Sequence, residues 1–578
     1  MDVQGVQNII SINCLPDEIV ILILHNNSSR EILNFGATCK HYNYMVKNHS
    51  YLWKNKCEAT YPTIISKVIK EYYRGSWLHE MKVYSKLKQR LQSELIAMSP
   101  KHYWAVSERS MDNVKSFFNI ATKKNFFYAV HILQDVIKTG SKLIDRKECT
   151  KPYTLTEMYY SKAVLRQFIH TYLAVKWVKS KMEQDLPPEV VINFFLQWID
   201  PANLYLDDEV DEKINNLVEM VRKVMENDKQ TPKKQCSAKQ IILAVSHVIY
   251  KQKRMALTST TDLDTLNISK VIDNNCGNVI VVATIYQAVA SRCGASCELI
   301  VFPNHLFLEW NDHNIPQLYN IDLATGEMHP KRCCPFGFTQ NNRATKYSYC
   351  PDSLLQYIYS SYLITMGAIR SWNTQNAMHL LDFLGTENER TLFKYNPYEN
   401  HYTYLMKQAT ALVQCDILDL KQLSEDHIRL MMSLVNLNKN LEVPTKNKIA
   451  KRHVSNVKFA VGMICYHKRY DYVCIIRGWD LTGCQLHFPL DDLYFGRNQP
   501  FYYITAADQS ERYVAQENLM ELIRPTRLYH LEHQISRDFT HFDGFAYVLN
   551  DEKKAEYPED EPIIEMFRTL CEQKINNA

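Results

Sequence analysis

Residues 273–326 give the strongest indication of the fold, and they read DNNCGNVIVVATIYQAVASRCGASCELIVFPNHLFLEWNDHNIPQLYNIDLATG. The run from Asn278 to Cys293 is apolar nearly all round, which is typical of a buried helix. Gly294 follows in the position just past a helix end, where glycine is common. Three extended runs come next, at Glu298–Phe302, Leu306–Trp310 and Leu318–Leu323. The stretch therefore predicts a buried helix followed by strands.

The last two extended runs are predicted to form a hairpin around the turn cluster Asn311–Pro316. This turn centres the hairpin midway between Asp312 and Ile315, which places His305 opposite Asp322. Facing side chains on antiparallel strands lie about 5 Å apart at Cβ, so the two could share a hydrogen bond. A slip of one residue would instead put them on opposite faces.

A buried helix, then a strand with His, then a strand with Asp is the order found in cysteine enzymes of the transglutaminase type. In those enzymes the Cys lies at the helix N-terminus, where the helix dipole and the His lower its pKa. Here that position falls at about Val279, and Cys276 is the nearest thiol. Cys276, His305 and Asp322 are therefore the catalytic candidates. The alternative is a structural His305–Asp322 pair with Cys276 as an incidental thiol.

The N-terminal segment predicts three short helices with an apolar side that a partner would cover. Residues 15–25 read LPDEIVILILH, in which Pro16 suits the first helical position and two acidic residues complement the helix dipole. Ser28 and Glu31 match a capping box that opens the second helix. Three helices in about 40 residues are too few to bury a robust core alone. The alternative is that they begin a larger domain.

The order Leu-Pro-Asp-Glu-Ile, Ile-Leu, Ile-Leu, Cys-Lys-His-Tyr and Leu-Trp along residues 15–53 resembles the F-box. An F-box implies docking onto the Skp adaptor and, through it, onto a cullin–RING ubiquitin ligase. By this resemblance, seven residues would bind the adaptor or support the surface that does so: Leu15, Pro16, Ile19, Ile23, Leu24, Ile32 and Leu33.

The regions 56–150 and 153–272 are mostly helical by pattern, for example at Trp77–Met98 and Val210–Met225. Together with residues 273–326, the second of these regions resembles the SirB-type branch of the transglutaminase-like superfamily. The resemblance rests on Phe194-Leu196-Trp198, Ala244-Val245-Val248-Tyr250, Gly277-Asn278, Pro303-Asn304-His305 and Ile321-Asp322. It implies a papain/transglutaminase-like α+β core, and it supports a fold more than a reaction.

Residues 458–525 predict a small β-barrel, because short strands at 461–465, 472–477, 501–506 and 512–515 are divided by tight turns. This segment resembles the YccV/HspQ family, which is associated with hemimethylated DNA and with presenting substrates to a protease. The residues that carry the resemblance are Val461-Gly462, Gly478-Trp479-Asp480, Pro500-Phe501-Tyr502 and Ser510–Leu519.

The charge of the predicted barrel favours protein over DNA as its partner. Its seven basic residues are Lys458, Lys468, Arg469, Arg477, Arg497, Arg512 and Arg524, and its eight acidic residues are Asp471, Asp480, Asp491, Asp492, Asp508, Glu511, Glu517 and Glu521. A DNA-binding domain needs a positive excess to displace counterions. Trp479, Tyr502 and Tyr513 are candidates for substrate binding. The alternative is that they are core aromatics.

The sequence therefore predicts a multidomain α+β protein. The predicted segments are an F-box (12–58), a helical linker (59–150), a transglutaminase-like domain (151–349), a helical extension (350–437), a solvated linker (438–457), a YccV/HspQ-like barrel (458–525) and a solvated C-terminal tail (526–578).

Composition excludes several other classes of protein. The formal net charge is only +4, so bulk charge gives no reason to expect nucleic-acid binding. No apolar run reaches about 18 residues, and no secretory signal is visible, so no membrane span or export is expected. The sixteen cysteines show no metal-binding spacing, and no cofactor or metal is expected. Free thiols suit a cytoplasmic or nuclear location.

These observations lead to one functional prediction with two alternatives. The prediction is a non-catalytic substrate adaptor of a Skp–cullin–F-box ubiquitin ligase, which binds the Skp adaptor, the cullin–RING core and target proteins. The first alternative is a cysteine hydrolase or acyltransferase that uses Cys276, His305 and Asp322. The second is an adaptor that binds DNA through its C-terminal barrel.

Overall fold

A computed structural model describes residues 12–60, 76–104, 115–143, 155–227, 237–330, 351–380, 449–452 and 456–576, apart from short gaps at 123–124, 184–185, 204, 206, 303–304, 313–316, 367–371, 374–375, 378–379 and 484–492. Within these residues the chain is a multidomain α+β protein, as predicted. Helices fill the first half, and antiparallel sheets lie in the middle and near the C-terminal end.

Four short helices form the N-terminal segment, at α1 (Asp17–Leu24), α2 (Ser29–Gly36), α3 (Lys40–Asn48) and α4 (Ser50–Thr60). The fourth helix was not predicted, because residues 51–53 were not recognised as helical. The predicted capping box is confirmed: the Glu31 amide donates to the Ser28 hydroxyl at 3.3 Å, and the Ser28 amide donates to the Glu31 carboxylate at 2.7 Å. These hydrogen bonds hold the pKa of Glu31 below its usual value.

The N-terminal helices complete their core with residues from the next helix that the structure describes, α5 (Trp77–Ile96). Leu78 of α5 is buried in the same cluster as the core residues of α1 to α4. Farther along α5, Tyr84, Leu87 and Leu91 belong to the main hydrophobic core. The N-terminal segment is therefore joined to the rest of the molecule by a helix that both cores share.

Eleven further helices, α6 to α16, are described before the C-terminal region. They are Met98–His102, Lys115–Ile120, Phe126–Leu143, Leu155–Glu183, Pro188–Ile199, Asp207–Asn227, Ala238–Ser246, Leu263–Leu266, Ile268–Asn274, Val279–Arg292 and Pro351–Met366. A π-helical turn, His247–Gln252, extends α12. Most of the predicted helical extension after α16 lies outside the described residues.

Helix α15 (Val279–Arg292) is the buried helix that the sequence predicted. Its side chains from Ile280 to Tyr286 are all buried, as its apolar character on every side requires. Gly294 has a φ of 97°, which is in the left-handed region that glycine adopts freely. The prediction that this glycine follows the helix end is confirmed.

Two sheets accompany α15. A short parallel pair is formed by β1 (Ala256–Thr258) and β2 (Cys276–Asn278), directly before the helix. An antiparallel sheet follows it, with strands in chain order: β3 (Cys297–Phe302), β4 (His305–Asp312), β5 (Gln317–Ile321) and β6 (Met328–Pro330).

The register of the β4–β5 hairpin differs from the predicted register by two residues. Leu308 pairs with Ile321 and Asp312 pairs with Gln317, so continuing this ladder does not place His305 opposite Asp322. The predicted direct pairing is therefore wrong. Strand β4 continues through Asp312, which the prediction had assigned to the turn. A displacement of two residues keeps both positions on one face of the sheet, because side chains alternate with a period of two.

The C-terminal region contains the predicted antiparallel strands. They are β7 (Ile464–His467), β8 (Tyr472–Asp480), β9 (Phe501–Ala506), β10 (Glu511–Ala515) and β11 (Leu519–Glu521). Their order in the sheet is β10-β9-β8-β7-β11. Among the described residues, strand pairing does not close this sheet into a complete barrel, because β10 and β11 remain at its edges.

The prediction of a solvated C-terminal tail is wrong. Residues 528–576 form a hairpin and three helices, at α17 (Glu532–Ile535), β12 (Phe539–Phe542), β13 (Tyr547–Leu549), α18 (Asp551–Glu556) and α19 (Glu561–Asn576). Leu531, Ile535, Phe539 and Tyr547 are buried in the main core. The prediction rested on the acidic residues between 551 and 561, which are typical of a solvated segment. It missed the apolar residues before and after them, which pack into the core.

A buried ion pair fixes this C-terminal segment to the start of the sheet domain. The Arg452 guanidinium donates to the Asp560 carboxylate at 2.7 Å and to the carbonyls of Val457 at 2.6 Å and Phe459 at 2.9 Å. Asp560 also accepts from the Val461 amide at 2.7 Å. Arg452 and Val457 are therefore held in the fold, contrary to the prediction of a solvated linker at 438–457, while Ile449, Lys451 and Asn456 are exposed as predicted.

The same C-terminal segment also contacts the helical half of the molecule. The Ser99 hydroxyl donates to Glu552 at 2.7 Å, and the Tyr103 hydroxyl donates to Glu556 at 3.2 Å. The Thr156 hydroxyl donates to the Phe539 carbonyl at 3.0 Å. The C-terminal segment is therefore held against the helical half of the molecule by polar contacts that are at least partly buried.

We expect Arg452→Ala to lower the melting temperature of the full chain. Removal of the guanidinium leaves the Asp560 carboxylate buried without its counter-charge, which typically costs about 3–5 kcal/mol. Differential scanning calorimetry would measure the change. The matched control is Lys451→Ala, because this neighbouring lysine is exposed. Equal melting temperatures for the two variants would contradict the structural role of the pair.

Candidate functional site

Helix α1 presents an apolar face to solvent. Ile19 is 42% exposed, Leu22 is 64% exposed and Ile23 is 45% exposed. The opposite side of the helix is buried in the N-terminal core through Val20, Ile21 and Leu24. Adjacent apolar side chains that remain in water on one short helix mark a surface suited to a partner protein.

The structure divides the seven predicted adaptor-binding residues into two groups. Pro16, Ile19, Ile23 and Leu33 are exposed, and Leu15 is half-buried. The other two, Leu24 and Ile32, are buried in the N-terminal core. Leu24 and Ile32 therefore lie beneath the exposed face, where they can support it from the core rather than contact a partner directly.

Leu22 is the adaptor-facing candidate that the predicted set omitted. It lies three residues after Ile19 and one before Ile23, so helical spacing places all three on one side of α1. The helical period was the signal that could have identified it.

Hydrogen bonds between helices hold the exposed face in place. The Lys56 ammonium donates to the His25 carbonyl at the end of α1 at 2.6 Å. The indole of Trp53 donates to the Val46 carbonyl at 2.7 Å, which ties α4 to α3. These bonds join α1, α3 and α4 by specific contacts, so the apolar face is formed before any partner binds.

The N-terminus of α15 is where a transglutaminase-like nucleophile would lie, and it is capped by an amide side chain. Asn278 accepts from the Ile280 amide at 3.1 Å and donates to Thr260 and Thr261 at 3.0 Å. Val279 is the first residue of the helix, as predicted. Cys276 is exposed and lies in strand β2, three residues before the helix begins.

Of the other two catalytic candidates, the structure describes the side chain of Asp322 but not that of His305. The Asp322 carboxylate accepts from the Ala324 amide at 2.9 Å and from the Thr325 hydroxyl at 3.0 Å, so both of its oxygens cap the turn that it begins. His305 is the first residue of β4, and the predicted His305–Asp322 hydrogen bond lies outside the described contacts. Cys276 is in the parallel pair and His305 in the other sheet.

A buried polar chain connects the Asp322 turn to α12 and α15. The Tyr286 hydroxyl donates to the Ile242 carbonyl at 3.0 Å and lies 2.8 Å from the Ser246 hydroxyl, which donates to the Gly326 carbonyl at 2.8 Å. Burial raises the pKa of Tyr286, so its phenol stays protonated. These contacts give the Asp322 turn a fixed position.

Gly326 allows this turn to approach the π-helical turn closely. Its φ is 77°, and a Cβ added there would lie 2.3 Å from the ring of Tyr250. Burial, with a smaller contribution from the Asp322 charge, raises the pKa of Tyr250. The turn and the Tyr250 ring are therefore packed so closely that a residue larger than glycine would not fit at position 326.

The three predicted substrate-binding aromatics are buried. Trp479, Tyr502 and Tyr513 belong to the interior of the C-terminal region, so the prediction that they are surface anchors is wrong. Each has an internal hydrogen bond: Trp479 donates to Asp560, Tyr502 donates to Gln516 at 2.7 Å, and Tyr513 donates to Asp480 at 2.8 Å. Sequence alone does not tell a buried tyrosine with an internal acceptor from an exposed one.

The described residues offer no arrangement suited to a metal ion, since they contain no group of three or more His, Cys, Asp or Glu side chains placed to hold one. A search of the described helices also found none with the length and apolar character needed to cross a membrane.

Three family models match separate segments of the chain, in the predicted order. Residues 12–59 match the F-box-like family. Residues 208–348 match the transglutaminase-like superfamily. Residues 457–545 match the family described as hemimethylated DNA-binding protein YccV like. An F-box-like, a transglutaminase-like and a YccV-like domain are all present.

The chain is also similar, over nearly its whole length, to F-box only protein 21 of mammals. It is 22% identical to F-box only protein 21 of Mus musculus, over 98% of this chain and 95% of the mouse protein. It is 22% identical to F-box only protein 21 of Homo sapiens, over 97% of this chain and 94% of the human protein. No solved structure matches the chain.

We expect the double variant Ile19→Asp with Ile23→Asp to lose binding to the Skp adaptor. Two carboxylates on the exposed face would have to be buried unpaired in the interface, which typically costs several kcal/mol. Size-exclusion co-elution of the purified chain with the adaptor would measure the loss. Both side chains are partly in water, so the fold should remain intact.

The control for this experiment is Ile96→Asp. Ile96 is 63% exposed and is the last residue of α5, about 30 Å along that helix from the N-terminal core. This variant should still co-elute with the adaptor. Failure of the unmutated chain to co-elute would refute the assignment of an adaptor-binding face.

Proposed function

We propose that this chain is the substrate-recognition subunit of a Skp–cullin–F-box ubiquitin ligase, and that it recruits target proteins for ubiquitination and degradation. The observation that carries the proposal is the exposed apolar face of α1 within the segment that matches the F-box-like family. The name of the relatives, F-box only protein 21, agrees with it.

The shared helix α5 supports a role in which the chain sets the distance between the bound adaptor and a bound target. Leu78 is buried in the N-terminal core, and Leu87 and Leu91 are buried in the main core. An adaptor that binds at α1 is therefore connected to the remaining domains by packed helices. A target held by those domains would be presented to the charged ubiquitin carrier at a restricted distance, and proximity would accelerate transfer.

We further propose that this chain does not catalyse a covalent reaction itself. The Asp322 oxygens accept hydrogen bonds within their own turn, and Cys276 is separated from the N-terminus of α15 by Gly277 and Asn278. A nucleophile and its base must lie within hydrogen-bond reach of each other for covalent catalysis. In this proposal the transglutaminase-like domain is a scaffold that helps to hold a protein segment.

We also propose a cytoplasmic or nuclear location. The cysteines in the described part of the chain carry free thiols, including the exposed Cys14, Cys39 and Cys276. Free thiols at the surface are compatible with a reducing compartment.

The proposed function predicts that the ubiquitination of particular proteins requires the exposed face of α1. We expect cells that lack the chain to lose ubiquitin-modified lysines on particular proteins, which should also accumulate. Re-expression of the unmutated chain or of Ile96→Asp should restore both properties, and Ile19→Asp with Ile23→Asp should not. Quantitative mass spectrometry of ubiquitin-remnant peptides would measure this, and full restoration by the double variant would contradict the proposal.

The same assay separates the adaptor from the cysteine enzyme. We expect Cys276→Ala to restore the ubiquitin-modified lysines as fully as the unmutated chain, because the proposal gives this thiol no chemical role. Cys14→Ala, which removes another exposed thiol, is the matched control. Loss of modification in Cys276→Ala alone would favour the alternative of a cysteine hydrolase or acyltransferase.

A further inference from the structure

A polar cavity lies between α10, α11 and the start of α14, away from the catalytic and adaptor-binding candidates. Its volume is about 230 Å³, and its lining includes Asn193 of α10, Glu209 of α11, and Ser269 and Lys270 of α14. The side chains of Glu209 and Lys270 are 46% and 53% exposed, so the cavity is open to solvent. Drug-sized ligands occupy pockets of about 300–1,000 Å³, and this smaller cavity suits a single side chain.

Two buried side chains in the lining have hydrogen-bonding capacity that the protein does not use. Ser269 is only 7% exposed, and its hydroxyl has no hydrogen-bond partner among the described residues. Asn193 is 2% exposed, and its amide nitrogen donates to the Tyr205 carbonyl at 3.3 Å and to the Asp207 carboxylate. The Asn193 amide oxygen has no partner in the part of the chain that the structure describes. Buried polar groups normally have a partner, so these two indicate a polar occupant.

Glu209 adds a carboxylate to these two groups. Lys213 lies 3.5 Å from Glu209, but its closer ion pair, at 2.6 Å, is with Asp273. Lys213 also donates to the Ser269 carbonyl at 3.2 Å, which holds the two walls of the cavity together. A carboxylate has about four acceptor sites, so Glu209 can accept from a ligand without losing Lys213.

The charges around the cavity favour a cation. Among the described residues, the charged groups that line it or contact its lining are four carboxylates and two ammonium groups: Asp200, Asp207, Glu209 and Asp264, with Lys213 and Lys270. Their formal charge is −2, and the next ion-pair partners, Lys176 and Asp273, leave it unchanged. The ammonium of Lys270 is offset by Asp264, 2.5 Å away. Negative surroundings attract a cation and repel an anion such as a phosphate.

The acceptors of the lining suit an organic cation better than a metal ion. The described residues contain no group of three or more His, Cys, Asp or Glu side chains placed to hold a metal. The cavity instead offers a hydroxyl, an amide oxygen and a carboxylate, from Ser269, Asn193 and Glu209. A lysine ammonium carries three N–H donors and an arginine guanidinium carries five, so either group can use all three acceptors.

We propose that this cavity binds the side chain of a lysine or arginine on a target protein. The cationic group would donate to Glu209, Ser269 and Asn193, and its alkyl stem would pack on Val210, an apolar residue of the lining. The size of the cavity favours one side chain over a long polyamine. The identification of the partner as a ligase target rests on the proposed function, whereas binding of the cation is independent of it.

Saturation-transfer NMR with the full purified chain tests the binding. The probes are the N-acetyl N-methylamides of lysine, arginine and norleucine, the last of which has the alkyl stem of lysine without its charge. We expect the lysine or arginine probe to bind about tenfold or more tightly than the norleucine probe, because a charged hydrogen bond is lost. Absence of binding by both cationic probes, or equal binding by norleucine, would overturn the proposal.

Two variants locate the binding in the cavity. Glu209→Gln removes the charge at nearly constant size, and Ser269→Ala removes the unpartnered hydroxyl. Each should weaken binding of the cationic probe, the first by about tenfold or more. Glu212→Gln is the matched control, because Glu212 is an exposed acidic residue of the same helix outside the cavity lining, and it should bind normally. Unchanged binding in either cavity variant would overturn the proposal.

Spermidine distinguishes a protein side chain from a free polyamine. Displacement of the cationic probe by spermidine at about one tenth of the probe concentration would overturn the assignment to a protein side chain.

The outcome is separable from that of the proposed function. Probe binding without adaptor co-elution would support the cation site and refute the ligase. Adaptor co-elution without probe binding would leave the ligase intact and refute the cation site.

Discussion

The packing of helix α5 into two hydrophobic cores is the constraint on which the arrangement of the molecule depends. A unit of four short helices buries too little surface to be stable alone, and here it gains Leu78 from α5. The same helix places Tyr84, Leu87, Leu91 and Leu95 in the main core. If the N-terminal segment moved away from the main core, apolar surface would be exposed to water. This exposure costs about 25 cal/mol of free energy per Å², so the packing opposes independent movement of the segment.

The C-terminal segment applies a comparable constraint from the other end of the chain. It completes the sheet domain through Asp560 and reaches the helical half through Glu552, Glu556 and Phe539. A charge pair such as Arg452–Asp560 gives little net stability compared with apolar packing, but it requires one specific arrangement of its partners. Moving the segment away would leave one charge buried without its partner, so the pair opposes other positions of the segment.

Sequence patterns predicted elements well where a local rule determines the structure, and less well where distant contacts decide it. Helix α15 was evident from its apolar sequence and Gly294, and the capping box from Ser28 and Glu31, because these signals act within a few residues. The β4–β5 register depends on where the turn begins, and an error of one residue in the turn centre moved the pairing by two. Burial of Trp479 depends on Asp560, which lies far away in the sequence.

Two carboxylates in this molecule fix the backbone of a turn or a loop. Asp322 accepts two hydrogen bonds from its own turn, and Glu517 accepts two from the Tyr494 and Phe495 amides in the loop between β8 and β9. A carboxylate has about four acceptor sites, so two hydrogen bonds fix its position and leave other sites open. The same hydrogen bonds make a turn or loop rigid, which is what a binding surface requires. The transglutaminase-like and YccV-like domains thus share a physical feature that is compatible with the proposed role in holding a partner.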